Sequence, residues 1–212
     1  MKRVVAFDLD GTLVDSVVDL ARAVNAALAD VGLDAHAVDV VRSYVGNGAR
    51  VLVERAVDGR ADVDVVLARF THHYERDLVG ETRPFDGIVD ALDALAPHAL
   101  LAVATNKPGT FARPLVERLL PGRFCCVVGP DDAGVLKPDR RMLSHVAGLA
   151  YADVAVFVGD SAVDVETAKN HGVPSIGVTW GLRPDEARGA SVVVDHPRDL
   201  AAAVLPLLSP SA

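Results

Sequence analysis

The 212-residue sequence is poor in cysteine and carries no excess of basic residues. Its two cysteines, Cys125 and Cys126, are adjacent, which is a poor layout for a disulfide framework and fits a reducing compartment. We expect both side chains to lie in the core. The formal net charge of -8 argues against broad affinity for nucleic acid or for anionic membranes, because their phosphate groups would repel the protein on average.

Long apolar runs are also missing. None approaches the roughly 20 residues that a membrane-spanning helix needs, and the opening MKRVVAFDLD lacks the apolar region and the cleavage site of a secretion signal. We therefore expect a cytoplasmic protein with no membrane or nucleic-acid partner. The 50% hydrophobic and 24% charged residues are typical of a compact globular protein with a substantial core, and residues 208–212 are expected to form a frayed tail.

The apolar residues occur in short runs rich in valine and alanine. Helix-like segments separate most of these runs; in DRRMLSHVAGLA, for example, four apolar residues share one face at helical spacing, namely Met142, Leu143, Val146 and Leu149. Continuous apolar strands that alternate with helices indicate a parallel sheet covered on both faces, so the predicted fold is a doubly wound, Rossmann-like α/β core. The predicted strands are RVVAF, LLAVAT, CCVVG, VAVFVGD, SIGVT and the weaker SVVVD.

One long interval interrupts this alternation. Between Asp15 and Pro84 we find no convincing strand, and two segments have the spacing of amphipathic helices, SVVDLARAVNAALADVG and ADVDVVLARFTHHYERDL. Ser16 and Asp19 are predicted to form a capping box at the start of the first helix.

This interval divides the chain into two predicted domains. Residues 1–15 and 84–212 are predicted to form the α/β core, and residues 16–83 are predicted to form an inserted helical cap. Ligands of open α/β sheets bind at the carboxyl ends of the strands, which is where this segment leaves the core and returns to it. The cap can therefore serve as a lid.

Polar clusters follow the predicted strands at four places. They are DLDGT at 8–12, TNKP at 105–108, KP at 137–138, one short loop past CCVVG, and GDSAVD at 159–164. The carboxyl ends of the strands lie side by side in a doubly wound sheet. We therefore expect residues that are far apart in sequence to meet in one crevice.

Three or four carboxylates are expected to converge there. Asp8 and Asp10 are two apart and point the same way if the strand extends that far, and Asp164 lies one helical turn after Asp160 and faces back toward it. Two carboxylates about 4 Å apart repel by roughly 4 kcal/mol at an effective dielectric of about 20, and a bound divalent cation or a proton on one of them would offset that cost. Oxygen donors, with neither His nor Cys in the four clusters, favour Mg²⁺ over Zn²⁺.

The remaining polar residues suit a phosphate group. Thr105 and Asn106 offer a hydroxyl and an amide at the start of a loop that leads to a helix, and Lys137 adds a positive charge. Helix N-termini also present free backbone N–H groups to an anion. The sequence therefore predicts a site for Mg²⁺ together with a small phosphorylated metabolite.

The ordered set DxDGT, Thr-Asn, Lys and GDxxxD resembles the haloacid dehalogenase-like superfamily of phosphohydrolases over nearly the whole chain. The resemblance implies that Asp8 attacks phosphorus to give an aspartyl-phosphate. It implies that Asp10 protonates the leaving oxygen and then deprotonates the water that hydrolyses the intermediate. Thr105 and Asn106 would hold phosphate oxygens, and Lys137 would neutralise charge on the nucleophile and the phosphoryl group.

The same resemblance implies how Mg²⁺ is bound. Its ligands would be the Asp8 side chain, the Asp10 main-chain carbonyl and Asp160, with Asp164 orienting them from behind. Elementary electrostatics agrees, because an anionic nucleophile approaches a phosphate dianion only when cations such as Mg²⁺ and Lys137 cancel the repulsion.

Within the superfamily, several segments are similar to the phosphoglycolate phosphatases, namely FDLDGTLVDSVVDL, YVGNGARVLVERA, ATNKP and VGDSAVDVETAKNHGVPSIGVTWG. This similarity implies hydrolysis of 2-phosphoglycolate to glycolate and phosphate. It also implies that Gly46, Asn47 and Arg50 belong to a cap loop facing the active site, where Arg50 could meet a small carboxylate. Alternatively, this loop is a plain helix-to-helix turn with a solvated arginine.

Other activities stay open on the same fold. They are pyrophosphatase, nucleotidase, and sugar-phosphate phosphatase or phosphomutase. A receiver-like signalling domain, whose phospho-aspartate is a message, also uses acidic residues, a hydroxyl and a lysine. Asp10, two residues after the acceptor and placed to activate water, favours a hydrolase over a receiver, as does the helical cap. The sequence does not predict the oligomeric state.

Overall fold

A computed structural model describes residues 3–208, so the predicted tail lies, apart from Leu208, outside the described residues. The strands are β1 Val4–Phe7, β2 Val14–Asp15, β3 Arg83–Pro84, β4 Leu100–Ala104, β5 Cys126–Val128, β6 Val154–Gly159, β7 Ser175–Val178 and β8 Val192–Val194. The helices are α1 Val17–Ala29, α2 Val38–Arg42, α3 Ala49–Val57, α4 Val63–Arg76, α5 Ile88–Leu95, α6 Gly109–Leu119, α7 Pro130–Ala133, α8 Arg141–Ala150, α9 Ala162–His171, α10 Pro184–Ala187 and α11 Leu200–Val204, with 3-10 turns at Pro197–Asp199 and Leu205–Leu208.

Six strands form one parallel sheet in the order β5-β4-β1-β6-β7-β8. Alternate residues of β1 face opposite layers, as the pleat of a strand requires. Val5 and Phe7 pack with α5, α6 and α11, while Val4 and Ala6 pack with α8 and α9. The doubly wound α/β fold predicted from the sequence is confirmed.

The strand order reverses next to β1. The chain adds β4 and then β5 on one side of β1, and then crosses to add β6, β7 and β8 on the other side. Ligands of open α/β sheets bind outside the carboxyl ends of the strands at such a switch point. The segments that follow β1 and β6, residues 8–12 and 160–164, are therefore in the position where a ligand is expected.

Helices α1 to α4 all lie between β2 and β3, in residues 16–82, which we call the helical insert. They pack around their own buried cluster, in which Val24 and Leu28 of α1 meet Phe70 and Tyr74 of α4. Phe111 of the core also belongs to this cluster. The two predicted helices are confirmed, while the division of the chain into two separate domains stays a prediction.

The interval predicted to lack strands has a short strand at each border. Val14 pairs with Pro84 and Asp15 pairs with Arg83, in antiparallel orientation. Two-residue strands, one of which ends in proline, leave no apolar run for sequence periodicity to detect. The chain therefore enters and leaves the helical insert along one two-stranded ribbon.

The predicted capping box at the start of α1 is wrong. Asp19, which is 1% exposed, accepts hydrogen bonds from the backbone N–H groups of Glu81 and Thr82 and from the Thr82 hydroxyl. The Ser16 hydroxyl instead donates to Asp10. These contacts are long-range, so the local spacing of Ser16 and Asp19 could not show them. They tie the first helix of the insert to the segment where the insert ends.

Three residues are also less buried than the sequence predicts. Leu149 is 51% exposed although the rest of its face on α8 is buried, because it lies in the last turn of that helix. Cys125 is exposed and Cys126 is half-buried, because β5 is an edge strand and begins only at Cys126. Among residues 3–208, no helix combines the length and apolar composition needed to cross a bilayer.

Candidate functional site

Three carboxylates meet at the switch point of the sheet. Asp8 follows β1, Asp160 follows β6, and Asp164 lies in the first turn of α9. All three are buried, and each contributes an oxygen within 4.8 Å of the others. We call these residues the acid cluster. The sequence predicts that these carboxylates meet, because β1 and β6 end side by side at this edge of the sheet.

Lys137 provides a positive charge inside the acid cluster. Its Nζ lies 2.7 Å from Asp8 Oδ1 and 2.7 Å from Asp164 Oδ1, and its side chain is 2% exposed. Burial alone would lower the pKa of Lys137, but the two carboxylates more than offset burial and raise it. Lys137 is therefore held as a cation between the two acids. Asp164 also accepts from the backbone N–H and hydroxyl of Ser161, which fixes its orientation.

The acid cluster is short of positive charge. Burial, with the nearby Asp164 carboxylate, raises the pKa of Asp8 to about 6, although Lys137 acts in the opposite direction. Burial, with Asp164 and Asp8, raises the pKa of Asp160 to about 8. The site contains four carboxylates and two ammonium groups. When all six groups are ionised, two negative charges have no positive partner. The carboxylates belong to Asp8, Asp10, Asp160 and Asp164, and the ammonium groups belong to Lys107 and Lys137. An all-oxygen donor set with this deficit fits a divalent cation such as Mg²⁺.

The loop after β1 approaches Asp160 very closely. The Asp160 carboxylate accepts from the Leu182 N–H at 2.7 Å and from the Thr12 hydroxyl at 3.3 Å. Gly11 has a φ of 88°, and a Cβ at this position would overlap the Asp160 carboxylate. Only glycine combines this backbone conformation with this close approach.

Asp10 points away from the acid cluster, toward a second buried lysine. Lys107 Nζ lies 2.9 Å from Asp10 Oδ1 and 2.8 Å from Oδ2, and Ser16 also donates to this carboxylate. The Lys107 side chain is 5% exposed. Burial alone would lower the pKa of Lys107, but the Asp10 carboxylate more than offsets burial and raises it. The two catalytic aspartates predicted from the sequence thus each have their own lysine.

Thr105 and Asn106 follow β4 beside these groups. The Thr105 hydroxyl oxygen accepts the N–H of Lys107 at 3.1 Å. The Asn106 side chain accepts the N–H of Lys137 at 2.8 Å and donates to the carbonyl of Gly46 at 3.1 Å. Asn106 therefore links the loop that carries Lys137 to a loop of the helical insert.

A cavity of about 40 Å³ lies between the core and the helical insert. Its core side includes Asp8, Asp10, Thr105, Asn106 and Lys107, and its insert side includes Leu20, Val45, Gly48, Leu52, Phe70 and Tyr74. Arg183 of the core also donates to the carbonyls of Ser43 and Val45, at 2.9 and 2.8 Å. The insert therefore covers the site with a mostly apolar surface.

Comparison with known families decides where this site belongs. The family model described as haloacid dehalogenase-like hydrolase matches residues 5–178, which include the acid cluster and both lysines. The chain belongs to the haloacid dehalogenase-like hydrolases.

Similar proteins fall in the same family. A phosphoglycolate phosphatase of Agrobacterium fabrum is 42% identical over 185 residues, covering 82% of this chain and 79% of its own. A phosphoglycolate phosphatase of Yersinia pseudotuberculosis is 40% identical over 215 residues, covering 95% and 93%. The crystal structure of a "predicted phosphoglycolate phosphatase" from Haemophilus somnus superposes with a TM-score of 0.88 at 29% identity, covering 96% of this chain and 98% of that one. The predicted resemblance to the superfamily is confirmed.

In this hydrolase, the loop residues predicted to face the active site separate into two groups. Gly46 lines the cavity. Asn47 is outside the cavity lining and accepts from Arg55. Arg50 is also outside the lining; it is exposed and pairs with Asp64 and Glu54. The structure thus gives Arg50 a position on the surface of the insert.

Three residues of the hydrolase site were not singled out from the sequence. Lys107 lies in the TNKP cluster at a strand end, and that placement was a usable signal. Ser16 had been assigned to a capping box. Tyr74 fell on the apolar stripe of a helix, where an aromatic residue is usually a core residue. Only the packing of α4 against the core shows that Tyr74 reaches the cavity.

Proposed function

We propose that this protein is a Mg²⁺-dependent phosphomonoester hydrolase that acts through an aspartyl-phosphate on Asp8, and that its substrate is 2-phosphoglycolate. One observation carries the proposal. Asp8 is the member of the acid cluster that also borders the cavity, and Lys137 Nζ lies 2.7 Å from its carboxylate. An acid at this position is in contact both with the charged groups that can stabilise phosphate and with the space that can hold it.

Asp8 is the nucleophile in this proposal. Its carboxylate oxygen forms a bond to phosphorus, and the bond between phosphorus and the alcohol oxygen breaks. Lys137 keeps positive charge next to the attacking oxygen while negative charge approaches it. The pKa of Asp8, raised to about 6, shows that burial and the neighbouring carboxylates disfavour its charged form, which further positive charge would stabilise.

A bound Mg²⁺ would supply that charge. The Asp8 and Asp160 carboxylates and the Asp10 main-chain carbonyl would hold it, and Asp164 would orient them; the ion would neutralise charge on the carboxylate and the phosphoryl group. The oxygen-only acid cluster and its raised pKa values support this assignment.

Asp10 is the general acid and base. It lines the cavity, so it can give a proton to the leaving alcohol oxygen and later take one from the water that hydrolyses the aspartyl-phosphate. Lys107 and Ser16 hold the Asp10 carboxylate on the cavity side, away from the acid cluster. The two aspartates therefore divide the chemistry, Asp8 toward phosphorus and Asp10 toward the leaving group.

Thr105, Asn106 and Lys137 are the phosphate-binding residues in the proposal. The Thr105 oxygen accepts from the Lys107 N–H, an arrangement that leaves the hydroxyl proton available to a phosphate oxygen. The Asn106 side chain is already bonded to Lys137 and Gly46, so it also keeps the Lys137 loop and the insert in place around the phosphate.

The size and surface of the cavity support a small substrate. About 40 Å³ holds only a few water-sized groups, and leucine, valine and phenylalanine of the insert line part of it. A two-carbon alcohol fits this space better than a nucleoside or a hexose. The curated relatives named phosphoglycolate phosphatase at 40 to 42% identity support the same substrate.

The test is a phosphate-release assay with and without Mg²⁺. Substrates would be 2-phosphoglycolate, ethyl phosphate, pyrophosphate, AMP and glucose 6-phosphate. We expect 2-phosphoglycolate to give the highest kcat/KM, chelation to abolish turnover, and Asp8→Asn to lower kcat at least about thousandfold. Asp93→Asn, which changes an exposed aspartate of α5 that pairs with Arg123, is the matched control. An Asp8→Asn variant as active as the parent would refute the nucleophile assignment, and a low rank for 2-phosphoglycolate would refute the substrate.

A further inference from the structure

The Tyr74 hydroxyl is buried next to the cavity without a satisfied hydrogen bond. Tyr74 is 1% exposed and lines the cavity. Within residues 3–208, its hydroxyl makes no hydrogen bond of normal geometry. A buried hydroxyl without a partner is costly, and native structures usually satisfy such a group. A phenol that borders a cavity can be satisfied by a ligand in that cavity.

Lys107 lies beside this hydroxyl. Its ammonium group is 5.0 Å from the centre of the Tyr74 ring, and both residues line the cavity. An ammonium group has three N–H donors, and the contacts to the two Asp10 oxygens account for two of them. The third N–H faces the Tyr74 oxygen, so Lys107 brings positive charge to the place where the Tyr74 hydroxyl can donate to a second anionic group.

The N-terminus of α3 opens at the same cavity. Gly48 and Ala49 line it, and Gly48 precedes the helix with a φ of 91°. The first turn of α3 contains no acidic residue, and no side chain of the described chain caps its N–H groups. Free N–H groups and the helix dipole favour a negative charge at this end.

We propose that Tyr74, Lys107 and the first turn of α3 form a subsite for a carboxylate on the alcohol part of the substrate. All three elements can donate hydrogen bonds to an anion and none carries a negative charge; Lys107, which contacts Asp10, places Tyr74 beside the position where the leaving alcohol would be. Phe70 and Phe111 border the same space, so the donors act in apolar surroundings that strengthen each contact. This inference rests on the proposed function and identifies the groups that would select an acidic alcohol over a neutral one. Arg50, which pairs with Asp64, has no part in it.

Binding of two non-hydrolysable probes tests the subsite. In 3-phosphonopropanoate, carbon replaces the ester oxygen of 2-phosphoglycolate, and propylphosphonate has a methyl group where that probe has its carboxylate. Calorimetric titration in the presence of Mg²⁺ should show the parent binding 3-phosphonopropanoate at least about tenfold more tightly.

Two variants assign this preference to residues. Tyr74→Phe removes one hydroxyl that makes no hydrogen bond of normal geometry, so the variant should fold, and it should reduce the preference about tenfold because a hydrogen bond to a charged group is lost. Lys107→Met should reduce the preference at least as much. Tyr44→Phe, in the same insert but outside the cavity lining, is the matched control and should keep the parent's ratio of the two dissociation constants.

The results separate the subsite from the activity. A parent that binds both probes equally, or a Tyr74→Phe variant that keeps the full preference, would overturn the subsite, whatever the hydrolysis assay shows. A Lys107→Met variant that weakens both probes by the same factor would remove Lys107 from it. Conversely, a preference for the carboxylate that depends on Tyr74, in a protein that releases no phosphate from any ester, would support the subsite while the proposed hydrolysis fails.

Discussion

The pKa of Asp160 gives a quantitative prediction for the metal-free protein. Asp160 is 2% exposed, and burial with the neighbouring Asp164 and Asp8 raises its pKa from 3.8 to about 8. A group whose pKa is higher in the folded state keeps a proton that the unfolded chain releases. Its stabilising contribution is therefore full below pH 3.8 and is lost as the pH rises toward 8.

The size of the loss follows from proton linkage. Above about pH 6, the pH exceeds the raised pKa of Asp8, so Asp8 is mostly ionised in the folded protein. Asp160 then still holds a proton in the folded state that it lacks in the unfolded state. One extra proton changes the free energy of unfolding by about 1.4 kcal/mol per pH unit, so stability should fall by roughly 2.5 kcal/mol between pH 6 and 8. For a chain of this length, that corresponds to a decrease in Tm of about 5 to 10 °C.

Differential scanning calorimetry checks this value. Protein treated with EDTA should lose Tm between pH 6 and 8, and excess Mg²⁺ should raise Tm more at pH 8 than at pH 6, because the ion binds carboxylates that protons no longer occupy. Asp160→Asn should remove most of the pH dependence and most of the Mg²⁺ effect. Asp93→Asn, an exposed aspartate on α5, should keep both. A metal-free Tm that is constant or rises between pH 6 and 8 would refute the reasoning.

Three further substitutions test separate parts of the structure. Asp19→Ala leaves two backbone N–H groups and a hydroxyl without their acceptor, so it should lower the free energy of unfolding by roughly 3 kcal/mol, and thermal unfolding should show a Tm about 6 to 12 °C lower. Gly11→Ala places a Cβ against Asp160 at a φ of 88°, and Mg²⁺ titration by calorimetry should show at least about tenfold weaker binding; parental affinity would contradict the close approach. Arg50→Met breaks only an exposed ion pair with Asp64, so kcat/KM for 2-phosphoglycolate should change less than about twofold, and a larger loss would return Arg50 to the site.

The strands of the main sheet could be predicted because helices cover both faces of the sheet and bury the four central strands β4, β1, β6 and β7 almost completely. Such strands read as short continuous apolar runs, and all six predicted runs contain a strand of the sheet. The ribbon of β2 and β3 could not be predicted this way, because each strand has two residues and is held by pairing rather than by a hydrophobic pattern. The exposure of Cys125 depends on β5 being an edge strand, and strand order is a tertiary property.

The positions of the site residues were predictable to a similar degree. Parallel strands bring their carboxyl ends together, so topology alone brings Asp8, Asp160 and Asp164 to one place. The functional roles assigned to them stay predictions. Ser16 and Tyr74 were missed because their contacts join segments that are distant in sequence, and local spacing favoured a cap and a core residue. Arg50 lies outside the cavity, where Glu54 of its own helix and Asp64 of α4 are its ion-pair partners.

The pairing of β2 with β3 also determines how the core accommodates its helical insert. An antiparallel pair is the geometry that a tight hairpin turn normally joins. Here residues 16–82 connect the two strands in place of such a turn. The described strands of the main sheet do not pair with β2 or β3. The same two short strands could therefore support a replacement segment of quite different length, or a simple turn, without a change in the order of the six parallel strands.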